Sequence, residues 1–305
     1  MSDMPMESIL VTCCIPSYNH ENYIKEAIDS VIKQSYDNIE LIIIDDGSTD
    51  TSVNKIKELK MLCQERFANT IFIFRENHGL SRTLNEMLEL ANGEFITFLA
   101  SDDKFSPEKI GYLVNEMGKL NDTLYCAAFG DAEIFSELDD KLQGSFIEKY
   151  TNGKIPVGDV TYENILNKNF LPAMSGLYAR NKLLEIGGFT NDLRLEDWDL
   201  YLRLLQKYKI RLFSKTVAHY RLHGANSIYV ENVRLLKDTL CVLLSQQQYA
   251  FSHGYNKIWH WKLYDTYYAL RRKKSLSYNE VRFFSTKMAA SYMLNKLRKK
   301  FFRPE

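Results

Sequence analysis

Ile39-Glu40-Leu41-Ile42-Ile43-Ile44-Asp45-Asp46-Gly47-Ser48-Thr49-Asp50 joins a six-residue run, four of it isoleucine, to a cluster of acids, hydroxyls and one glycine. A run of this kind reads as a strand buried on both faces, and the polar cluster ends it. After it Val53, Ile56 and Leu59 recur at helical spacing. Upstream, Ile9–Ile15 is a second short apolar run closed by Pro16, and Ile24, Ala27, Ile28, Val31 and Ile32 form one helical stripe. Downstream, Thr70–Phe74 reads as a strand, Leu80–Leu90 as a helix and Glu94–Leu99 as a strand, with Ser106-Pro107 as N-cap and first turn of the next helix. Alternating apolar strands and helices predict an α/β fold, a mostly parallel sheet with helices on both faces. Ligands of such sheets bind outside the carboxyl ends of the strands, where Pro16–Asn19, Asp45–Ser48 and Ser101–Asp103 all fall.

Farther along the pattern weakens from Phe135 to Pro156, which predicts a long, mobile surface segment. Order returns at Leu171–Ala179 and in an amphipathic helix over Glu196–Tyr208, with Trp198, Tyr201, Leu202 and Leu205 on its apolar stripe. Beyond Asn226 the sequence is helical and aromatic. The 305 residues suit about two domains, divided here as 1–227 and a helical, basic 228–305. Lys plus Arg and Asp plus Glu both total 39. That balance argues against nucleic acid as a partner, but it conceals an asymmetry. Residues 257–305 carry 13 Lys/Arg against three acids, a net of +10. No run reaches the length of a membrane span, and the first cation is Lys25, so no signal peptide is expected. Five cysteines without C-x-x-C spacing are expected as free thiols in a reducing cytoplasm.

Four clusters could carry chemistry. Asp45–Asp50 serves equally as a turn with acids at a helix start or as a strand-end acid facing a base or ribose. No G-x-G-x-x-G follows the first strand and no G-x-x-x-x-G-K-[ST] occurs, which disfavours NAD and P-loop chemistry. Asp102-Asp103, directly after a buried run, serve either as a helix-start acid cluster before Pro107 or as hard oxygen donors of the kind Mg2+ or Mn2+ takes. Glu196-Asp197-Trp198-Asp199 at a helix start offers either dipole stabilisation or a general base. Arg221-Leu222-His223-Gly224-Ala225-Asn226-Ser227 holds a histidine between cationic and amide side chains, though a single histidine is most often structural.

Taken together, Pro16-Ser17-Tyr18-Asn19, Asp45–Asp50, Asn92–Leu99 running into Asp102-Asp103, Glu196–Asp199 and Arg221-x-His223-x-x-Asn226-Ser227 resemble a family 2 glycosyltransferase, in that family's order, from residue 8 to about 227. The resemblance implies a GT-A fold over residues 1–227, a nucleotide-sugar donor (most often UDP-linked), a divalent metal (Mn2+ or Mg2+) and inversion at the anomeric carbon. By position Pro16, Tyr18 and Asp46 would hold the nucleoside, with Asp46 facing the base. Asp102 would approach the ribose or metal, Asp103 would be the principal metal ligand, Asp197 the catalytic base, and His223 an aid to metal or diphosphate. Two positions depart from the family's habit: Ala100 stands where an additional acid is common, and Leu84-Asn85 where Arg-Asn is common.

The expected product is a cell-surface polysaccharide or glycolipid, from a glycan or lipid-linked acceptor. The basic tail, with Val281, Phe284, Met288 and Tyr292 at helical spacing, would either lie on an anionic membrane surface or pack on the catalytic domain or a second copy in a homo-oligomer. The expected location is cytoplasmic, peripheral on the inner face of the membrane. The rivals are a sugar nucleotidyltransferase, which Pro16–His20 disfavours in place of a glycine-rich basic loop, and a non-catalytic nucleotide-sugar-binding module.

Overall fold

The computed structural model describes residues 9–120, 122–136, 143–151, 157–224, 226, 232–273 and 275. The Val281–Tyr292 stripe lies outside the described residues, as do 137–142 and 152–156 of the segment expected to be a surface loop. The chain divides into two compact units, Met1–Gly224 and Ala225–Glu305.

The first unit is built on one ten-stranded sheet. In chain order it comprises β1 (Val11–Ser17), α1 (Ile24–Ile32), β2 (Ile39–Asp46), α2 (Ser52–Arg66), β3 (Asn69–Arg75), α3 (Leu80–Leu90), β4 (Phe95–Phe98), β5 (Lys104–Phe105), α4 (Lys109–Lys119) and β6 (Tyr125–Ser136). There follow β7 (Gly144–Ser145), α5 (Phe146–Thr151), β8 (Gly158–Val160), α6 (Tyr162–Asn167), β9 (Leu177–Ala179), α7 (Arg180–Glu185), α8 (Glu196–Leu204) and β10 (Lys209–Leu222). The strand order is β3-β2-β1-β4-β9-β6-β10-β5, with β7 on β6 and β8 on β10. The ladders β3-β2-β1-β4 and β6-β10 are parallel, whereas β5, β7, β8 and β9 are short antiparallel additions.

Side-chain alternation along the strands divides the core. Val11, Cys13 and Ile15 with Ile39, Leu41 and Ile43 pack with the apolar stripes of α1 and α4. Helix α3, whose Leu84, Met87 and Leu88 are buried, contacts β1 and β2 and lies outside that cluster. Every residue of β2 is buried, including Glu40. That carboxylate accepts hydrogen bonds from Thr12 Oγ1 (2.6 Å), Asn92 N (2.8 Å), Asn92 Nδ2 (2.8 Å) and Asn69 Nδ2 (3.0 Å). Burial alone would raise its pKa, but these donors hold it below the ordinary value.

Lys109 sets α4 apart from the other helices. It begins the helix yet is buried, its Nζ donating to Thr97 Oγ1 and, at 3.3 Å, to the Gly176 carbonyl, 3.6 Å from the centre of the Phe105 ring. Among the described residues no carboxylate pairs with it, and burial pushes its pKa down to about 7.

Several expectations are corrected. The helix after Pro107 starts at Lys109, with Ser106-Pro107-Glu108 forming the preceding turn. The amphipathic helix ends at Leu204 rather than Tyr208. Part of the supposed surface loop is ordered: β6 runs to Ser136, and in α5 Ile147 is buried and Phe146 meets Tyr220 edge-on.

In the second unit, α9 (Asn232–Ser245), α10 (Gln247–Ser252) and α11 (Asn256–Arg272) pack around Leu240, Leu243, Trp259, Leu263, Tyr267 and Leu270. Trp259 Nε1 donates to the Leu243 carbonyl. No helix among the described residues is long and apolar enough to cross a membrane.

Candidate active site

The loops leaving β1 and β2 are laced together. Asn19 N donates to Ser48 Oγ (2.8 Å), Thr49 N to Asn19 Oδ1 (2.8 Å), His20 N to Ser52 Oγ (3.0 Å) and Glu21 N to Asp50 Oδ2 (2.9 Å). Thr51 N returns a bond to Glu21 Oε2 (3.0 Å). Asn19 adopts φ 51°, a left-handed conformation that asparagine tolerates better than most residues. Gly47 has φ +83°, and a Cβ there would lie 2.8 Å from the Asn77 nitrogen, so only glycine fits the turn. Pro16 closes β1 opposite Ile44, and Tyr18 stands about half exposed beyond it.

The two acids ending β2 build this surface. Asp45 accepts from Ser17 Oγ (2.9 Å), Ser48 N (2.8 Å) and Ser48 Oγ (2.7 Å), folding its own turn. Asp46 is also buried; it ion-pairs with Arg75 and accepts from His78 N (3.0 Å) and Gly79 N (2.9 Å), holding the loop before α3. Arg75 in turn reaches Thr83 and Glu86.

Asp102 and Asp103 lie in the turn after β4, closed by Asp103 N donating to the Ala100 carbonyl (3.0 Å). Their carboxylates serve different partners. Asp103 is fully enclosed and accepts from the Arg221 backbone N (2.9 Å); burial, then the charge of Asp102, push its pKa well up. Asp102 Oδ2 lies 3.0 Å from His223 Nε2 and 3.9 Å from His20 Nε2. Burial opposes its charge, but the His223 hydrogen bond and the neighbouring imidazoles prevail and its pKa is lowered. His20, Asp102 and His223 present ligand atoms all within 4.8 Å of one another. The acid beside His223 is therefore Asp102; Asp103, the acid expected as the principal metal ligand, is not one of these three residues. His20 was not singled out by the sequence at all.

Arg221 ties this corner together. Its Nε donates to the Asp102 carbonyl (2.9 Å), its Nη2 to Glu26 (2.8 Å), and its guanidinium lies over the rings of Tyr23 (4.7 Å) and Phe135 (4.5 Å). His223 is tilted against the Tyr23 ring at 4.7 Å.

The acids of α8 divide similarly. Asp199 is buried, accepting from Thr190 Oγ1 (2.6 Å) and Arg203 Nε (2.7 Å), while Arg203 also holds the Ile186 and Gly188 carbonyls. Asp197 keeps some exposure; it accepts from Asn169 Nδ2 (2.8 Å) and Trp198 N (2.6 Å), and burial raises its pKa. Trp198 Nε1 donates to the Ile165 carbonyl (2.7 Å), pinning the start of α8 to α6. Asn85, at the departure in α3, bonds the Phe189 backbone in both directions (2.8 and 2.9 Å), and Arg82 pairs with Asp192 at the surface.

The family model described as Glycosyl transferase family 2 matches residues 12–167. An uncharacterized glycosyltransferase of Rickettsia felis is 31% identical over 225 residues, 70% of this chain, and the chain spans about a third (34%) of that relative's length. Two solved structures share the fold. TarS 1-349 of S. aureus, in complex with UDP-GlcNAc, superposes with a TM-score of 0.61 at 19% identity, over 77% of this chain and 66% of that one. The mannosyltransferase PcManGT of Pyrobaculum calidifontis, in complex with GDP-Man and Mn2+, gives 0.62 at 15% identity, over 96% and 87%. The expected GT-A architecture is the one found.

Proposed function

Because the chain belongs to glycosyl transferase family 2, we propose that it moves a sugar, with inversion, from a nucleoside-diphosphate donor to a hydroxyl of a glycan or lipid-linked acceptor. The observation that carries this reading is the convergence of the laced β1 and β2 loops with Asp102 and His223 at the carboxyl ends of the strands. The likeness to proteins solved with UDP-GlcNAc and GDP-Man supports a nucleotide-sugar donor, and UDP is the base proposed.

The nucleoside lies against Pro16 and the exposed Tyr18 ring, an aromatic face on which a base stacks. Asp46 acts mainly through the loop it holds, since backbone donors and Arg75 take up most of its lone pairs. Imidazole nitrogen and carboxylate oxygen in close company suit a divalent cation, and Asp102 with His223 would hold Mn2+ or Mg2+. Bound there, such an ion supplies Lewis-acid stabilisation of the departing diphosphate. Asp103, engaged with Arg221, fixes the turn that aims Asp102. Asp197 takes the proton of the acceptor hydroxyl, and its raised pKa makes it the stronger base. The oxygen then attacks the anomeric carbon opposite the diphosphate, through an oxocarbenium-like state. Residues 1–227 form the catalytic domain in this reading, and the net +10 of residues 257–305 favours a lipid-linked acceptor at an anionic surface.

The test is a panel of UDP- and GDP-sugars with Mn2+ or Mg2+, following nucleoside diphosphate release and the anomeric configuration of the product by NMR. Inverted product supports the reading. Retained configuration refutes the single displacement, and neither turnover nor donor binding across the panel refutes the transferase assignment.

A further inference from the structure

His20 has no role in the mechanism above, yet its ring is held in a defined pose. Its Nδ1 lies 2.7 Å from Ser101 Oγ, its backbone N donates to Ser52, and its ring meets Tyr23 edge-on at 6.0 Å. With Nδ1 turned to the serine, Nε2 faces Asp102 Oδ2 at 3.9 Å, too far for a hydrogen bond. His223 Nε2 approaches the same oxygen at 3.0 Å, and the two imidazole rings stand 6.0 Å apart, nearly perpendicular. Two donor atoms bound to one cation at about 2.1 Å each are separated by about 3–4 Å. The spacings from Asp102 Oδ2 to both imidazoles fall in that range, and all three ligand atoms lie within 4.8 Å of one another. A hydrogen bond from the far nitrogen is also the usual way a ligating histidine is oriented, and Ser101 stands in that position for His20.

We propose that His20 is a direct ligand of the divalent metal, so that the site is His20–Asp102–His223 and takes a transition-metal dication such as Mn2+ in preference to Mg2+. This rests on the metal-dependent reading above and adds to it the ligand set and the class of ion. The preference follows from ligand chemistry: Mg2+ is held by oxygen and keeps its water, whereas imidazole nitrogen favours first-row transition metals. Asp103 contributes no ligand atom to this group; its enclosed carboxylate accepts from the Arg221 N–H instead.

The test is binding of Mn2+ to the full chain, alone and with UDP, followed by EPR, with nitrogen couplings to the bound ion resolved by pulsed methods. Wild type is expected to show two coupled imidazole nitrogens and to keep Mn2+ against a roughly hundredfold excess of Mg2+. His20→Asn retains a group that can reach Ser101 but removes the distal nitrogen. It should weaken Mn2+ binding about 10- to 100-fold and leave one coupled nitrogen; His20→Ala should do the same. A single nitrogen coupling in wild type overturns the assignment even if both variants fail to fold. So does unchanged affinity and coupling in the variants while Asp102→Asn abolishes binding, although the metal-dependent reading then survives. Absence of Mn2+ binding to wild type in both conditions overturns that reading and the ligand assignment together.

Discussion

Replacing Lys109 with methionine should stabilise the protein near neutral pH, a gain that disappears in alkali. Burial sets its folded pKa at about 7, against about 10.5 for a solvated lysine. The gap of about 3.5 units corresponds to about 5 kcal/mol at 1.36 kcal/mol per unit. Because the folded pKa is depressed, the unfolded chain binds more protons between pH 7 and 10.5, and stability rises with pH across that window. The burden is present in full below pH 7 and is gone above about 10.5. Methionine gives up the Nζ hydrogen bonds and the contact with Phe105, together about 1–2 kcal/mol. It strands neither acceptor, since Thr97 Oγ1 already donates to the Gly176 carbonyl at 2.6 Å. The net expectation at pH 7 is a gain of about 2–4 kcal/mol. Urea unfolding of both proteins from pH 6.5 to 9.5 measures it, because all other titrating groups are shared. The two stability curves should converge by about 1 kcal/mol per pH unit above pH 7. Parallel curves would refute the reasoning, since they require Lys109 to titrate alike in folded and unfolded chains.

Asp197→Asn should lower kcat by about 10²–10⁴-fold while donor affinity measured by calorimetry stays within a factor of two or so; weakened donor binding at normal kcat would make Asp197 a binding residue instead. In wild type, kcat should fall on acidification through a value above the ordinary aspartate range, because burial raises that carboxyl's pKa. Glu40→Gln should cost about 2–3 kcal/mol at pH 7 by unfolding, since it replaces a charged acceptor of four hydrogen bonds. A depressed carboxylate stabilises above its unfolded pKa and loses that contribution as pH falls through the folded one, so the variant's loss should shrink below pH 4.5. Asp46→Ala should destabilise by about 3 kcal/mol, because it leaves the largely buried Arg75 short of one partner and two backbone N–H groups without theirs.

The central strands were legible because their apolar runs have no other explanation: Ile39–Ile44 and Ile9–Ile15 are too short for helices and too apolar for loops. β6 and β10 escaped notice for the converse reason. In Lys209–Leu222, Lys, Arg, Ser, Lys, Thr and His interrupt the apolar residues, and register shifts around Thr216 break the alternation. The partners that each acid of a pair takes were also hidden. Asp102 and Asp103 are adjacent in sequence, and a turn to Ala100 together with a backbone N–H from residue 221 sends them to different partners. Asp197 and Asp199 part company because Arg203, one turn later, captures only the second. His20 carries no motif of its own; it becomes visible only because β1 lies beside β4, which brings it to Ser101 across 81 positions. Nothing in the sequence around Lys109 reveals that Thr97 and Gly176 receive it in the core.

The corner that Arg221 holds to Glu26 joins residues separated by 195 positions, and that separation sets a schedule for the protein's synthesis. At about 5–20 residues per second, His20 leaves the ribosome some 10–40 s before His223. Throughout that interval a nascent chain can lace its first two loops and bury β1 against β2, yet one imidazole of the cluster and the arginine that braces Asp102 do not exist. A chain cut short after residue 167, where the match to the family model stops, therefore carries the laced β1 and β2 loops without the means to complete the corner. Closure of that corner can begin only once His223 has emerged, and a fluorescent reporter near Tyr23 would mark when it happens.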